Sequence, residues 1–408
     1  MRRYALASTL IGLALWLGTS LSAAPTRLPE PMVPDCWGVN IHFITPPPGQ
    51  VEMIAKAGFK FIRMDMSWDW IEPEKGKYDF SAYDALVSEL EAHGVRALFI
   101  INGGANHHYE TMFPRTPKDW RAYANFAGAC AAHYKGRNII WEIWNEPDNQ
   151  VWSPSPQPEQ YVRMARLAAR AIKAADPDAM IAGPAISQFW YPFLEPCLNA
   201  GILDFVDVLS IHPYWSAPVP EMVAAHWDKV RGLMAAKGKS TPMISGEWGY
   251  TTTDVSQEIQ AQRLVRMCLT NLSCGIPLSI WYDWWDDGTD PKNREHNFGV
   301  IHGSKPKPAY IASQTMTSVL NGCRIVKRLD DGKSDMMALL FSGPKGYRIA
   351  AWTWGAPRSY TLPYAGPEAT VVSLLGERTS IAVKDRKLTL ELTESVVYVE
   401  MGKRLETQ

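Results

Sequence analysis

The sequence predicts an α/β fold, a (β/α)8 barrel followed by a small β-sandwich. Eight short apolar runs alternate with longer amphipathic segments between residues 37 and 320, which is the repeat and the size expected of such a barrel. These runs show little polar–apolar alternation, as is typical of parallel strands buried on both faces. Beyond residue 322 the pattern changes to short alternating strands separated by Gly and Pro turns, which favours a sandwich.

The eight barrel strands are predicted in chain order from these apolar runs. They span Trp37 to Phe43, Phe59 to Met64, Val95 to Ile101, Asn138 to Trp144, Ala179 to Gly183, Phe205 to Ile211, Pro242 to Ser245 and Ile276 to Trp281. Helices lie between them, for example Ser81 to Ala92 and Glu159 to Ala175, where apolar residues recur every three or four positions. A doubly wound open sheet is disfavoured, because no glycine-rich phosphate turn follows the first strand.

The chain divides into four predicted segments. Residues 1–24 form a signal peptide, 25–35 a proline-rich lead-in, 36–321 the barrel and 322–408 the β-sandwich, whose predicted strands are Arg348 to Trp354, Thr370 to Leu374, Lys387 to Leu392 and Ser395 to Glu400. The signal peptide is predicted because Arg2 and Arg3 precede the apolar run from Leu6 to Leu17. This run is too short to span a bilayer, so we expect a secreted or periplasmic protein without a membrane anchor after cleavage.

The charge balance and the cysteine spacing exclude several functions. The 41 Lys and Arg residues against 42 Asp and Glu residues give a net charge of -1, which favours neither nucleic acid nor an anionic membrane as a partner. A polyanionic substrate is left open. The six cysteines contain no Cys-x-x-Cys pair, so we expect buried thiols with one or two disulfides and no zinc. The acidic loop Asp283 to Asp290 does not match a calcium-binding loop, and no metal or cofactor is expected.

Two glutamates follow predicted strands at positions suited to catalysis. Strand four ends in Trp144-Asn145-Glu146-Pro147, and Gly246-Glu247-Trp248 follows strand seven. Side chains at the carboxyl ends of barrel strands share one mouth, so Glu146 and Glu247 are expected to face each other. Two carboxyl groups about 5 Å apart are the machinery of a retaining glycosidase, in which one carboxylate attacks the sugar and the other transfers the proton.

These motifs resemble the clan A glycoside hydrolases, most closely family 39 and neighbouring family 5-like enzymes. The resembling segments are Trp37-Gly38-Val39-Asn40-Ile41-His42, Phe61 to Trp68, Trp144 to Pro147, Ile211-His212-Pro213-Tyr214 and Gly246-Glu247-Trp248. The resemblance implies that Glu146 is the acid/base and Glu247 the nucleophile. It also implies that Asn145 binds the sugar 2-hydroxyl, that Tyr214 orients the nucleophile and that His212 orients a side chain or contacts substrate.

Further residues are predicted to contact the substrate. Arg63, at the end of strand two, is the expected cation that keeps Glu247 ionised. Trp281, Trp284 and Trp68 are expected sugar platforms, because a rigid flat indole suits the apolar face of a sugar ring. His107 follows strand three and is expected to contact substrate hydroxyls.

The sequence therefore predicts an O-glycoside hydrolase that cleaves a β-linked oligo- or polysaccharide by double displacement. Endo action is favoured, because so many aromatic residues could line an extended groove. The alternatives are an exo-acting β-xylosidase or β-glucosidase, and a carbohydrate-binding pseudoenzyme that keeps the cleft without the chemistry. Transglycosylation uses the same residues and stays open, as does the oligomeric state.

Overall fold

A computed structural model describes residues 26–103, 113–149, 156–214, 218–332 and 334–401. The predicted signal peptide and His107 lie outside these ranges. Within them, no helix is both long and apolar enough to cross a bilayer.

Eight parallel strands in the described ranges form a closed barrel, which confirms the predicted fold class. Each strand pairs with the next along the chain, and β1 closes the barrel against β8 through the pair Val39 and Trp281. The strands are β1 (Trp37–Asn40), β2 (Phe61–Ser67), β3 (Arg96–Asn102), β4 (Ile140–Ile143), β5 (Met180–Ser187), β6 (Val208–His212), β7 (Met243–Trp248) and β8 (Ser279–Trp281).

The strand ends differ from the predicted ones for backbone reasons. The fourth strand was predicted from Asn138 to Trp144, but both of these residues adopt a positive φ, at 57° and 65°, that a strand cannot contain. The sixth strand starts later than predicted, because Ile202–Asp204 forms a one-turn 3-10 helix before it. Strand β7 continues to Trp248, so Glu247 lies within the strand itself.

Helices surround the barrel and begin at recognisable capping residues. The Thr116 hydroxyl accepts a hydrogen bond from the Asp119 backbone N–H, and the Asp119 carboxylate accepts one from the Thr116 backbone N–H, so a capping box starts the fourth helix. Pro158 occupies the first turn of the fifth. The helices are α1 (Gln50–Lys56), α2 (Trp68–Ile71), α3 (Ser81–Ala92), α4 (Pro117–His133), α5 (Pro158–Ala175), α6 (Tyr191–Asn199), α7 (Ala224–Ala235), α8 (Gln257–Ser273) and α9 (Pro308–Val319).

The remaining strands form a short hairpin and then two facing sheets. The hairpin pairs β9 (Ile301–His302) with β10 (Lys305–Pro306). The larger sheet has the order β11-β12-β13-β18-β15-β16, and β14 pairs with β17 in the smaller one. Their bounds are β11 (Arg324–Arg328), β12 (Met336–Gly343), β13 (Gly346–Thr353), β14 (Arg358–Pro363), β15 (Glu368–Val372), β16 (Arg378–Ala382), β17 (Lys387–Leu392) and β18 (Val397–Glu400).

Strand β12 shows how this region is attached to the barrel. Met336, Ala338 and Leu340 pack into a core of their own between the two sheets. The alternate residues Met337 and Leu339 pack into the core that also fills the barrel. Because side chains alternate along a strand, the larger sheet is covered on both faces. All six cysteines are free thiols, so the expected disulfides are absent among these fully described positions.

Candidate active site

A buried arginine within β2, rather than at its end as predicted, connects the polar side chains of the barrel mouth. Arg63 is 1% exposed and donates from Nε to Glu142 Oε2 at 2.6 Å. It donates from NH1 to Glu247 Oε2 at 2.6 Å and from NH2 to Asn145 Oδ1 at 2.7 Å. One guanidinium therefore balances two carboxylates, and its planar geometry fixes the positions of groups on β2, β4 and β7.

Glu247 lies in a setting that favours its ionised form. Its Oε2 accepts hydrogen bonds from Arg63 and from Asn40 Nδ2, the latter at 3.2 Å. Its Oε1 accepts one from the Tyr214 hydroxyl at 3.0 Å. Three donors, one of them cationic, stabilise a negative charge on this carboxylate.

Glu146 lies in a different environment, although it faces the same cavity. Burial raises the pKa of Glu146, and the charge of Arg63 and a hydrogen bond from Asn149 offset this only in part. The bond from Asn149 Nδ2 to Oε2 is long, at 3.3 Å. Burial therefore favours the protonated form of Glu146, whereas Glu247 accepts hydrogen bonds from three donors.

The hydrogen bonds of His212 determine which of its ring nitrogens carries the proton. Arg63 NH2 lies 3.2 Å from Nε2 and can only donate, so Nε2 accepts. Nδ1 therefore carries the hydrogen and donates to Glu146 Oε1 at 2.9 Å. Burial and the nearby Arg63 charge lower the pKa of His212 to about 4, so the ring is neutral near pH 7. His212 thus orients one oxygen of Glu146 without adding a charge.

The carboxylates of Glu146 and Glu247 each place an oxygen within 4.8 Å of the other and of a His212 ring nitrogen. An approach this close fits retaining glycosidases, in which the two carboxyl groups are about 5 Å apart. Both glutamates line a cavity of about 330 Å³, together with Tyr214, Gln188 and Tyr282.

The backbone around this cavity is held in conformations that non-glycine residues rarely adopt. Four of them have a positive φ: Trp144 at 65°, Glu146 at 44°, Ala185 at 52° and Gln188 at 59°. The Glu146 amide donates to the Ala185 carbonyl at 3.0 Å, which ties the end of β4 to β5. Such residues are costly and persist where the surroundings hold them, often at functional sites.

A second polar cluster borders the cavity at the ends of β1 and β8. His42 Nδ1 lies 2.8 Å from Asp287 Oδ2 and 3.3 Å from Asp283 Oδ2, and these three atoms could ligate a metal ion. Burial by itself would lower the pKa of His42, but the hydrogen bond to Asp287 and both aspartate charges raise it to about 9. The imidazolium therefore supplies a positive charge beside the two aspartates.

The comparisons with known proteins agree with this geometry. Residues 32–288, which include both glutamates and all eight barrel strands, match the family model described as cellulase (glycosyl hydrolase family 5). The chain belongs to this family. The predicted resemblance to clan A glycoside hydrolases is thereby confirmed.

The relatives of this family 5 chain include curated enzymes and a solved structure. It is 26% identical over 306 residues to a β-xylosidase of Caldicellulosiruptor saccharolyticus, an alignment that covers 67% of this chain and 59% of that protein. It is 28% identical over 130 residues to endo-1,4-β-xylanase A of Phanerodontia chrysosporium, covering 28% and 30%. A family 39 glycoside hydrolase of Bacteroides cellulosilyticus WH2 superimposes with a TM-score of 0.79 at 25% identity, covering 90% of this chain and 80% of that one.

The structure brings most of the predicted site residues together. The two predicted catalytic glutamates and four of the expected contact residues form one hydrogen-bonded group: Glu146, Glu247, Arg63, Asn145, His212 and Tyr214. His107 lies outside the described residues.

The structure corrects the prediction that three tryptophans are sugar platforms. Trp281 and Trp284 are 0% exposed and Trp68 is 3% exposed, so none presents a ring face to the cavity. The Trp284 indole donates to Gln50 Oε1 at 2.8 Å, and the Trp68 indole donates to Glu72 and stacks on Phe126. Trp284 and Trp68 are core residues because the fold takes up their N–H groups, and Trp281 is fully buried although its indole N–H has no acceptor among the described residues.

Tyr282, directly after β8, is an aromatic residue that the sequence prediction did not single out. It follows Trp281 and lines the cavity beside Glu146 and Glu247. Asn40 was also missed as a contact of Glu247. Its place as a polar residue on a buried strand was the sequence signal that could have identified it.

Proposed function

We propose that this chain is a retaining glycoside hydrolase with Glu247 as nucleophile and Glu146 as acid/base. The observation that carries the proposal is that Glu146 and Glu247 place carboxylate oxygens within 4.8 Å of each other. Burial raises the pKa of Glu146, whereas Glu247 accepts a hydrogen bond from the Arg63 guanidinium. The relatives, which include β-xylosidases and endo-1,4-β-xylanases, support a β-linked substrate.

The first half of the reaction forms a covalent glycosyl-enzyme. A Glu247 oxygen attacks the anomeric carbon while the bond from that carbon to the leaving oxygen breaks. Glu146 gives its proton to the leaving oxygen, which releases the first product alcohol. Tyr214 and Asn40 keep their hydrogen bonds to Glu247 and thereby orient the attacking oxygen.

The second half returns the enzyme to its starting state. Glu146, now ionised, takes a proton from water, and the water oxygen attacks the anomeric carbon. The bond to Glu247 breaks, the sugar leaves with its anomeric configuration retained, and Glu146 is again protonated. Asn145, held by Arg63, offers its amide N–H groups to the sugar 2-hydroxyl in both halves.

We further propose endo action on a polysaccharide by a secreted or periplasmic enzyme. A second cavity of about 390 Å³ adjoins the one that contains the glutamates, since Tyr214 and Arg294 line both. Space on more than one side of the reacting sugar suits a chain that extends past it. The secreted location rests on the N-terminal sequence pattern alone.

The test pairs Glu247→Gln with Glu146→Ala. Glu247→Gln should abolish turnover on aryl glycosides and β-linked polysaccharides while the far-ultraviolet circular dichroism stays unchanged, because an amide cannot act as the nucleophile. Glu146→Ala should retain activity only on aryl glycosides with good leaving groups, and azide should restore part of it as the glycosyl azide with retained configuration. Product lengths from a polysaccharide panel distinguish endo from exo action.

Near-normal turnover by Glu247→Gln would overturn the nucleophile assignment. Oligosaccharide binding by the wild-type protein without any hydrolysis would indicate the carbohydrate-binding pseudoenzyme. Release of single sugars alone would favour the exo-acting alternative.

A further inference from the structure

The second cavity contains an arginine that the proposed mechanism does not use. Arg263 lies on α8, and its guanidinium sits 4.8 Å above the ring of Tyr250, the third residue after Glu247. Within the described ranges its Nε is buried without a hydrogen-bond acceptor, and no carboxylate forms an ion pair with it. Water can reach the outer N–H groups of the partly exposed Arg263 guanidinium, but it cannot reach the buried Nε–H.

The other charges of the cavity leave it with an excess of positive charge. Arg294, at the junction with the catalytic cavity, pairs with Asp254, which also lines the second cavity. Arg263 has no such counterpart among the lining residues, so the two arginines face a single carboxylate. Two other buried arginines pair with carboxylates, Arg63 with Glu142 and Glu247 and Arg266 with Glu221. Arg348, whose Nε is also buried without a partner, instead donates from NH1 to backbone carbonyls.

An arginine in a cavity without a hydrogen-bond acceptor destabilises the protein unless a ligand supplies that acceptor. Removing a guanidinium from water without a partner is unfavourable, and the stacking on Tyr250 compensates for charge but not for the missing acceptor. The planar fork of arginine matches the two oxygens of a carboxylate. The missing partner is therefore best supplied by an anionic group that enters the cavity from the catalytic side.

We infer that this cavity binds a carboxylate carried by the substrate chain, so the polysaccharide that the enzyme cleaves is acidic. Arg263 is the primary contact, and Arg294 adds a second positive charge at the entrance. The inference rests on the proposed glycosidase function and names its substrate class. The carboxylate belongs either to a uronic acid residue or to a pyruvyl ketal, and both present the same two oxygens to the guanidinium.

The test compares matched oligosaccharides that differ in charge alone. Xylo-oligosaccharides with a glucuronic acid branch are assayed against the same compounds after carboxyl reduction, and pyruvylated oligosaccharides against their depyruvylated forms. The wild-type kcat/KM should favour at least one acidic member by about 10-fold to 100-fold, the range of one charge-assisted hydrogen bond. The preference should fall as ionic strength rises. The member that is preferred identifies the source of the carboxylate.

Three variants assign the preference to Arg263. Arg263→Met keeps the apolar stem over Tyr250 and should bring the acidic-to-neutral ratio close to one, whereas Arg263→Lys should keep part of it. Arg170→Met removes an exposed arginine from the outer helix α5 and should keep the wild-type ratio. Equal losses on both members of a pair in Arg263→Met, or no wild-type preference in any pair, would overturn the inference.

Calorimetry with Glu247→Gln separates this inference from the proposed function, since it requires no turnover. Tighter binding of an acidic oligosaccharide by a protein that hydrolyses no glycoside would support the cavity assignment and overturn only the hydrolase. Efficient hydrolysis without any charge preference would overturn only the cavity assignment.

Discussion

At the residue scale, Asp148 connects the turn that contains Glu146 to the neighbouring strand. Its Oδ1 accepts from the Ser187 amide and its Oδ2 from the Ser187 hydroxyl, both at 2.9 Å, so the turn that contains Glu146 is held to the end of β5. Asp148 is 1% exposed, and burial raises its pKa to about 7, against the two hydrogen bonds that lower it. The folded protein thus holds a proton here that the unfolded chain releases near pH 4.

This proton predicts a pH-dependent stability difference. A raised folded pKa contributes stability that is complete below about pH 4 and is lost as the pH rises towards 7. Asp148→Asn lacks this contribution. As the pH rises from 4 to 7, the free energy of unfolding of the wild type should therefore fall relative to that of Asp148→Asn. Urea unfolding across this range measures the difference, and Asp178→Asn, at an exposed aspartate, is the control. Parallel curves for Asp148→Asn and wild type would contradict the prediction.

At the scale of elements, the ends of β7 and β8 approach each other closely beside the nucleophile. The register between these strands shifts from Ser245 to Trp248, and a Cβ at Gly249 would lie 1.8 Å from the Tyr282 carbonyl oxygen. Only glycine allows this approach, which places Tyr282 against the cavity that contains Glu247.

Gly249→Ala should therefore damage both stability and activity. The added methyl group must displace the backbone of Tyr282, at a cost of at least about 1–3 kcal/mol, and kcat/KM should fall by more than tenfold. Thermal unfolding and aryl glycoside kinetics measure these effects. Gly232→Ala is the matched control, because nothing lies within 4 Å of its Cβ on α7 and alanine favours a helix by about 0.5–1 kcal/mol. A Gly249→Ala enzyme with wild-type properties would disprove the close-packing argument.

At the scale of the whole molecule, the β-sheets and the barrel are joined by a buried ionic contact. Arg266 on α8 donates to both oxygens of Glu221, at 2.7 and 2.8 Å, and both residues are buried. Trp352 on β13 donates its indole hydrogen to the same carboxylate at 2.6 Å. Glu394 reaches Arg266 from the sheet side at 3.0 Å. The larger sheet is thus attached through charge as well as through the shared apolar core.

Removing one partner of this contact should destabilise the whole chain. Arg266→Met leaves the Glu221 charge buried, which should lower the free energy of unfolding by about 3–5 kcal/mol. Adding Glu221→Gln removes that charge and keeps an acceptor for the Trp352 indole, so the double variant should recover part of the loss. Urea unfolding followed by circular dichroism and tryptophan fluorescence checks both. A double variant no more stable than Arg266→Met would contradict the buried-charge explanation.

The sequence by itself determined the barrel and the four side chains around the two glutamates. Apolar runs at regular intervals are local signals that predict the strands. A polar residue at the carboxyl end of such a run lies at the shared mouth of the barrel. The tertiary structure alone decided that Tyr282 rather than Trp281 lines the cavity, that His42 joins Asp283 and Asp287, and that Arg263 lacks a partner. Burial and pairing of side chains depend on contacts between distant segments, and no local pattern specifies them.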